Sequence, residues 1–216
     1  RHTRFRNVTG VQTCALPIYV RRTLHEYYAT ITALDFHIGR LLETLRMPGE
    51  LDNTIVLFSA DQGIAVGSHG LLGKQNLYDA GMKSPLILAG PGIPHGESSA
   101  LVYLLDIYPT VCELVETSPP EGIDGISFRS VIDGKVPAIR RELFLSYLNV
   151  QRSIRDDRWK LIRYPQVNVT QLFDLQSDPD ELHNLAEQPA QQERVQTMLA
   201  RLAEVQPTWG DTAPLT

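Results

Sequence analysis

The stretch Thr54-Ile55-Val56-Leu57-Phe58-Ser59-Ala60-Asp61-Gln62-Gly63 decides the fold class. Its first seven residues are rich in β-branched and aromatic side chains and apolar almost throughout, as in a strand buried on both faces. Upstream, apolar residues at Leu24, Tyr27, Tyr28, Ile31, Leu34, Ile38, Leu41, Leu42 and Leu45 recur at steps of three and four. That is the stripe of an amphipathic helix, which should stop near Met47-Pro48-Gly49. Helix followed by buried strand predicts an α/β unit with a parallel sheet.

Downstream of the strand, residues 61–83 are polar and carry Gly63, Gly67, Gly70, Gly73 and Gly81, the composition of a long functional loop. Residues 85–89 read as a second buried strand, closed by the turn Gly90-Pro91-Gly92, and residues 107–115 as a helix with Asp106 placed to cap it. A short helix is expected near 128–132. Beyond it the pattern changes to strand-like pieces at 142–148, 151–156, 159–164 and 170–175, the spacing of an antiparallel sheet. A helix over 191–205, with Val195, Met198, Leu199, Leu202 and Val205 on one face, should cover that sheet. The expected organisation is an α/β portion over 19–136 and a small α+β subdomain over 137–216.

Composition constrains partners. Of 216 residues, 43% are hydrophobic, enough for a real core, and the formal net charge of −5 favours neither nucleic acid nor an anionic membrane surface. No apolar run approaches the ~18 residues needed to span a bilayer. Residues 1–18 hold three arginines, no acid and no periodicity that continues into the rest, so they read as a non-native segment resembling translated sequencing adaptor. Setting aside Arg1, Arg4 and Arg6 takes the 20 basic residues to 17 against 25 acidic, a net of −8. The two cysteines, Cys14 in that segment and Cys112 in an apolar helical stretch, imply no disulfide framework.

The candidate chemistry lies after the first strand. Asp61 and Gln62 offer a carboxylate and an amide carbonyl, hard oxygen ligands for Ca²⁺ or Mg²⁺, at the sheet edge where α/β sites form; taken alone, Asp-x-Gly reads first as a turn signal. Lys74 follows Gly73 and suits an oxyanion as a point charge, or else solvent as a surface lysine. His69, between Gly67 and Gly70, either contacts substrate or ties loop carbonyls together. The run from Gly67 to Lys74 is not a P-loop, because Gln75 replaces the hydroxyl residue and the glycine spacing is wrong. His25, His37, His95 and His183 lack ligand spacing and read as surface residues, and Asp35 as a buried hydrogen-bonding residue of the first helix. Asn168-Val169-Thr170 is a glycosylation sequon.

Taken in order, these blocks resemble the C-terminal half of the formylglycine-dependent sulfatases of the alkaline-phosphatase superfamily. The blocks include 52–63, Gly67-Ser68-His69-Gly70-Leu71-Leu72-Gly73-Lys74, Ser84-Pro85-Leu86-Ile87 with Gly90-Pro91-Gly92, Asp106-Ile107-Tyr108-Pro109-Thr110, Arg158-Trp159-Lys160-Leu161-Ile162, and Leu172-Phe173-Asp174-Leu175 followed by Asp178-Pro179, Glu181 and Asn184-Leu185-Ala186. The resemblance implies an alkaline-phosphatase-like α/β sheet, Asp61 and Gln62 as ligands of Ca²⁺ (or Mg²⁺), and Lys74 on a sulfate oxygen. It also implies a formylglycine nucleophile from a Cys/Ser-x-Pro/Ala-x-Arg motif, which Cys14 does not fit. This chain alone is therefore expected to be inactive. The substrate implied is a sulfate ester, of a saccharide by family likeness, and the location periplasmic or secreted. The alternatives are a phosphodiesterase or phosphonate hydrolase of the same superfamily, and a non-catalytic remnant acting as a binding module.

Overall fold

The computed structural model describes residues 10–215, with side chains from residue 17 onward. Of the segment 1–18, residues 1–9 and the Cys14 side chain lie outside the described residues. Helix α1 runs Gly10–Arg46, starting well before the apolar stripe and including Pro17. It stops as its sequence demands: Gly49 takes φ +82°, while Gly49 N–H donates to Arg46 O and Glu50 N–H to Leu45 O. This is the left-handed glycine cap that satisfies the last carbonyls.

Strand β1, Val56–Ser59, pairs with β4, Leu86–Ala89, in antiparallel register from Val56↔Ala89 to Ser59↔Leu86. The parallel pairing expected from helix-then-strand is thus corrected. The loop between the two strands returns the chain alongside itself as a wide hairpin. Nor are these strands buried on both faces: β1 is half-buried throughout and Ile87 of β4 is 60% exposed. Between them lie a two-strand ribbon, β2 Ala65–Val66 with β3 Leu72–Gly73, and one turn of helix, α2 Asp79–Met82. The connection expected to be plain loop is therefore folded.

Helices α3, Ile107–Leu114, and α4, Arg129–Ile132, follow. Asp106 does not cap α3 through its side chain. Its buried carboxylate instead accepts the N–H of Tyr103 at 2.6 Å and of Ile126 at 2.8 Å and forms a two-pronged ion pair with Arg140. A carboxylate so enclosed is tolerated because every oxygen is met. Asp35 is also corrected: it lies exposed on α1, since nothing among the described residues covers that face.

The four C-terminal strands and the final helix form where the sequence places them. Strands β5 Leu143–Tyr147, β6 Gln151–Arg155, β7 Trp159–Tyr164 and β8 Val169–Asp174 form an antiparallel sheet in that order. Strand alternation gives it two faces. On one, Phe144, Ile154, Trp159, Leu161 and Leu172 pack against Val195, Leu202 and Val205 of α5, Gln192–Val205. On the other, Ile162 and Phe173 enclose Leu77, with Tyr78 and Met82 at the margin. That second face rests on the connection between β1 and β4.

Candidate functional site

Asp61 stands just past the end of β1, where the chain has left the strand. The β2–β3 ribbon folds the next residues back, pairing Ala65 with Gly73, so Lys74 returns to Asp61. Lys74 Nζ donates to Asp61 Oδ2 at 2.9 Å, and the Gln62 N–H donates to Oδ1 at 2.9 Å. Both charged side chains remain largely open to solvent. The ammonium of Lys74 holds the Asp61 carboxyl below the usual carboxylate range, first through its hydrogen bond and then through its charge.

His69 sits on the turn between β2 and β3 with φ +55°, a left-handed conformation sparse for any residue with a Cβ. Its ring lies flat on Tyr78, centroids 3.7 Å apart and planes 7° from parallel. The structure thus brings Lys74 directly to Asp61, with Gln62 bonded to Asp61 through its backbone N–H, and carries His69 on a neighbouring turn anchored to Tyr78.

Two glycines set this packing. A Cβ on Gly63 would meet Ala80 O at 2.4 Å and Lys83 O at 3.0 Å, so the segment bearing Asp61 and Gln62 presses on the α2 backbone. A Cβ on Gly81 would meet the Asn76 amide at 2.7 Å, and that amide accepts the Tyr78 N–H. On its far side α2 is gripped by the sheet. Asp79 accepts Lys160 Nζ at 2.6 Å and Arg155 at 3.0 Å. The Asp79 N–H donates to Glu181 at 2.6 Å, and Lys160 also pairs with Glu181 at 2.6 Å. Gln151 accepts the Leu77 N–H, and Gln171 accepts both the Tyr78 and Tyr164 hydroxyls. Burial raises the Asp79 carboxyl, but Lys160 and Arg155 outweigh it and hold the group below its ordinary value. Burial beside Tyr78 pushes the Tyr164 hydroxyl up. Tyr78, Asp79, Lys160 and Glu181 escaped the sequence reading of the site. The one signal was a lysine within the otherwise largely apolar run Trp159-Lys160-Leu161-Ile162.

Asp61 and Gln62 are chemically fit to donate oxygens to a hard cation. Among the described residues no group of three or more His, Cys, Asp or Glu is arranged to hold a metal. Ca²⁺ prefers roughly six to eight oxygens, so these two residues fit as part of a ligand set. His25, His37, His95 and His183 are exposed, as the sequence suggested. No helix among the described residues is long and apolar enough to cross a membrane.

Two family models match the chain: "Sulfatase" over residues 2–117 and "N-sulphoglucosamine sulphohydrolase, C-terminal" over residues 67–208. Choline-sulfatase of Rhizobium meliloti is 37% identical over 179 residues, covering 79% of this chain and 34% of that protein. N-acetylglucosamine-6-O-sulfatase of Bacteroides thetaiotaomicron is 32% identical over 205 residues, covering 88% and 37%. Among solved structures, one described as a complex with its substrate D-glucosamine-2-N,6-O-disulfate superposes with a TM-score of 0.79 at 29% identity, covering 87% of this chain and 41% of that one. Phosphonate monoester hydrolase from Silicibacter pomeroyi superposes at 0.72 with 26% identity, covering 82% and 39%. The chain spans about a third of the length of the curated relatives it matches.

Proposed function

The chain belongs to the sulfatase family, and from that premise we propose that it is the C-terminal part of a sulfate-ester hydrolase acting on a sulfated saccharide. The carrying observation is the meeting of Asp61 and Lys74 at the end of β1, 2.9 Å apart, in a chain of this family. Asp61 and Gln62 each contribute an oxygen to a Ca²⁺ or Mg²⁺ ion. The ion, when bound, neutralises sulfate charge and favours ionisation of the attacking hydroxyl. Lys74 holds a sulfate oxygen as a point charge and offsets the charge that builds as the S–O bond breaks. His69 lines the substrate side of the loop, its ring orientation set by Tyr78. The nucleophile, a hydrated formylglycine, and the remaining cation ligands belong to sequence outside residues 19–216. The saccharide reading draws on the glucosamine disulfate in the superposed structure and on the N-acetylglucosamine sulfatase likeness.

The second reading, a phosphonate or phosphodiester hydrolase, draws on the Silicibacter likeness. Sequencing the encoding DNA upstream of codon 19 tests the proposal. It should reveal an open frame with a Cys/Ser-x-Pro/Ala-x-Arg motif, and the product of that frame should cleave glucosamine 6-sulfate faster than a phosphonate monoester. A frame lacking that motif overturns the sulfatase reading, and the reverse substrate preference establishes the second.

A further inference from the structure

The loop-facing side of the β5–β8 sheet carries a buried charged cluster that a sheet face needing only a core would not hold. Lys160, the second residue of β7, is fully buried, and Glu181 is 2% exposed. Burying such ions costs several kcal/mol each before pairing, and apolar residues of similar size often serve stability as well or better. The four groups balance: Lys160 and Arg155 against Asp79 and Glu181. Both anions meet Lys160 at 2.6 Å. Glu181 reaches the cluster from a left-handed backbone position, φ +56°, a conformation that costs free energy and persists only when its surroundings hold it. What the cluster grips is not the sheet itself but the first residue of α2, by side chain and by backbone N–H together.

From α2 the contact continues to the site by two routes. Gly63 lies on the carbonyls of Ala80 and Lys83, which sets the height of Asp61 and Gln62 above α2. Tyr78, immediately before α2, bears the stacked ring of His69, with its hydroxyl tied to Gln171 of β8. We infer that Lys160 and Glu181 are positioning residues for the anion site: they fix Asp79 and α2, and through α2 the segment of Asp61 and Gln62 and the ring of His69. The inference rests on the site proposed above for what is positioned; the clamp itself is independent of the reaction.

The test is NMR on the full chain. The Tyr78 ring shields His69, so the His69 ring protons should resonate upfield of those of exposed His25 and His95, which serve as internal references. In Lys160→Met the expected result is loss of that upfield displacement and movement of the Gly63 amide resonance, while far-UV circular dichroism still shows a cooperative fold. Lys160→Arg should restore part of both signals. Where Lys160→Met does not fold, Glu181→Gln, which keeps the side-chain size, is read in the same way. A folded variant that melts earlier but leaves His69 and Gly63 unmoved assigns the cluster to core stability and overturns the inference. Because no substrate or metal enters the measurement, its failure is distinct from absence of a nucleophile motif upstream.

Discussion

Lys74 and Asp61 act on each other through one 2.9 Å contact, and the hydrogen bond from Lys74, with its charge second, makes the carboxyl ionise more readily than a free one. Replacing Lys74 with Met should therefore raise the Asp61 pKa toward its ordinary value, read from the carboxyl carbon shift in an NMR pH titration. An unmoved titration would mean that the pair does not persist in solution. Gly63 invites a steric prediction, because an added Cβ would sit 2.4 Å from a backbone oxygen that no rotamer change can move. Gly63→Ala should cost about 1–3 kcal/mol by overpacking, seen as a lower urea midpoint. At this scale the site was legible only in part. Asp61, Gln62 and Lys74 stand close in sequence and are candidates by residue type and by the glycines around them, but only the fold shows that Lys74 returns to Asp61. Lys160 is 81 positions from Asp79. Nothing in a strand's local pattern says that one lysine will be enclosed by two carboxylates from elsewhere.

At the scale of elements, α1 and α5 carry the same kind of apolar stripe and meet different fates. Leu202 of α5 is fully buried on the sheet, whereas Tyr28, Leu34 and Leu41 of α1 are 62%, 48% and 64% exposed. Leu202→Ala should destabilise this chain by about 2–5 kcal/mol through lost burial and a cavity. Leu41→Ala should stay within about 0.5 kcal/mol, as surface changes do. Thermal melts of the two variants check the contrast, and a large loss at Leu41 would show that α1 packs on something in solution. The same comparison explains what periodicity conveyed. It gave both helices, the glycine stop of α1 and all four strands of the C-terminal sheet, since each follows from spacing along the chain. It missed the antiparallel sense of β1 and β4, because strand direction depends on where the intervening 61–83 segment leads, and a helix before a strand is only a weak guide to that. It also made Asp35 a buried residue, when its burial depended on a covering surface that periodicity cannot supply.

Over the whole molecule, acid should weaken the contacts that join the β1–β4 connection to the C-terminal sheet. Asp79 is held below its ordinary value by Lys160 and Arg155 against the opposing effect of burial; Asp211, which follows α5 and pairs with Arg152 of β6, is lowered in the same way. A carboxyl lowered in the folded state contributes stability that is complete above its unfolded pKa, about 3.9, and is lost as pH falls through the folded value. The unfolding free energy should therefore change little with respect to these groups between pH 7 and about pH 5, then drop below about pH 4. Urea titrations across that range measure it. Asp79→Asn should lower stability at neutral pH yet flatten the acid limb, because the group that takes up the proton on unfolding is gone. An acid limb of equal slope in wild type and variant would assign acid sensitivity to other carboxylates and leave Asp79 as a neutral-pH contact only. The α5-covered sheet and the segment that carries Asp61 and Lys74 are joined through this buried charge cluster, through Leu77 between Ile162 and Phe173, and through the bonds of Gln151 and Gln171 to Leu77 and Tyr78. Protonating Asp79 should for that reason loosen the loop while the sheet and α5 remain folded.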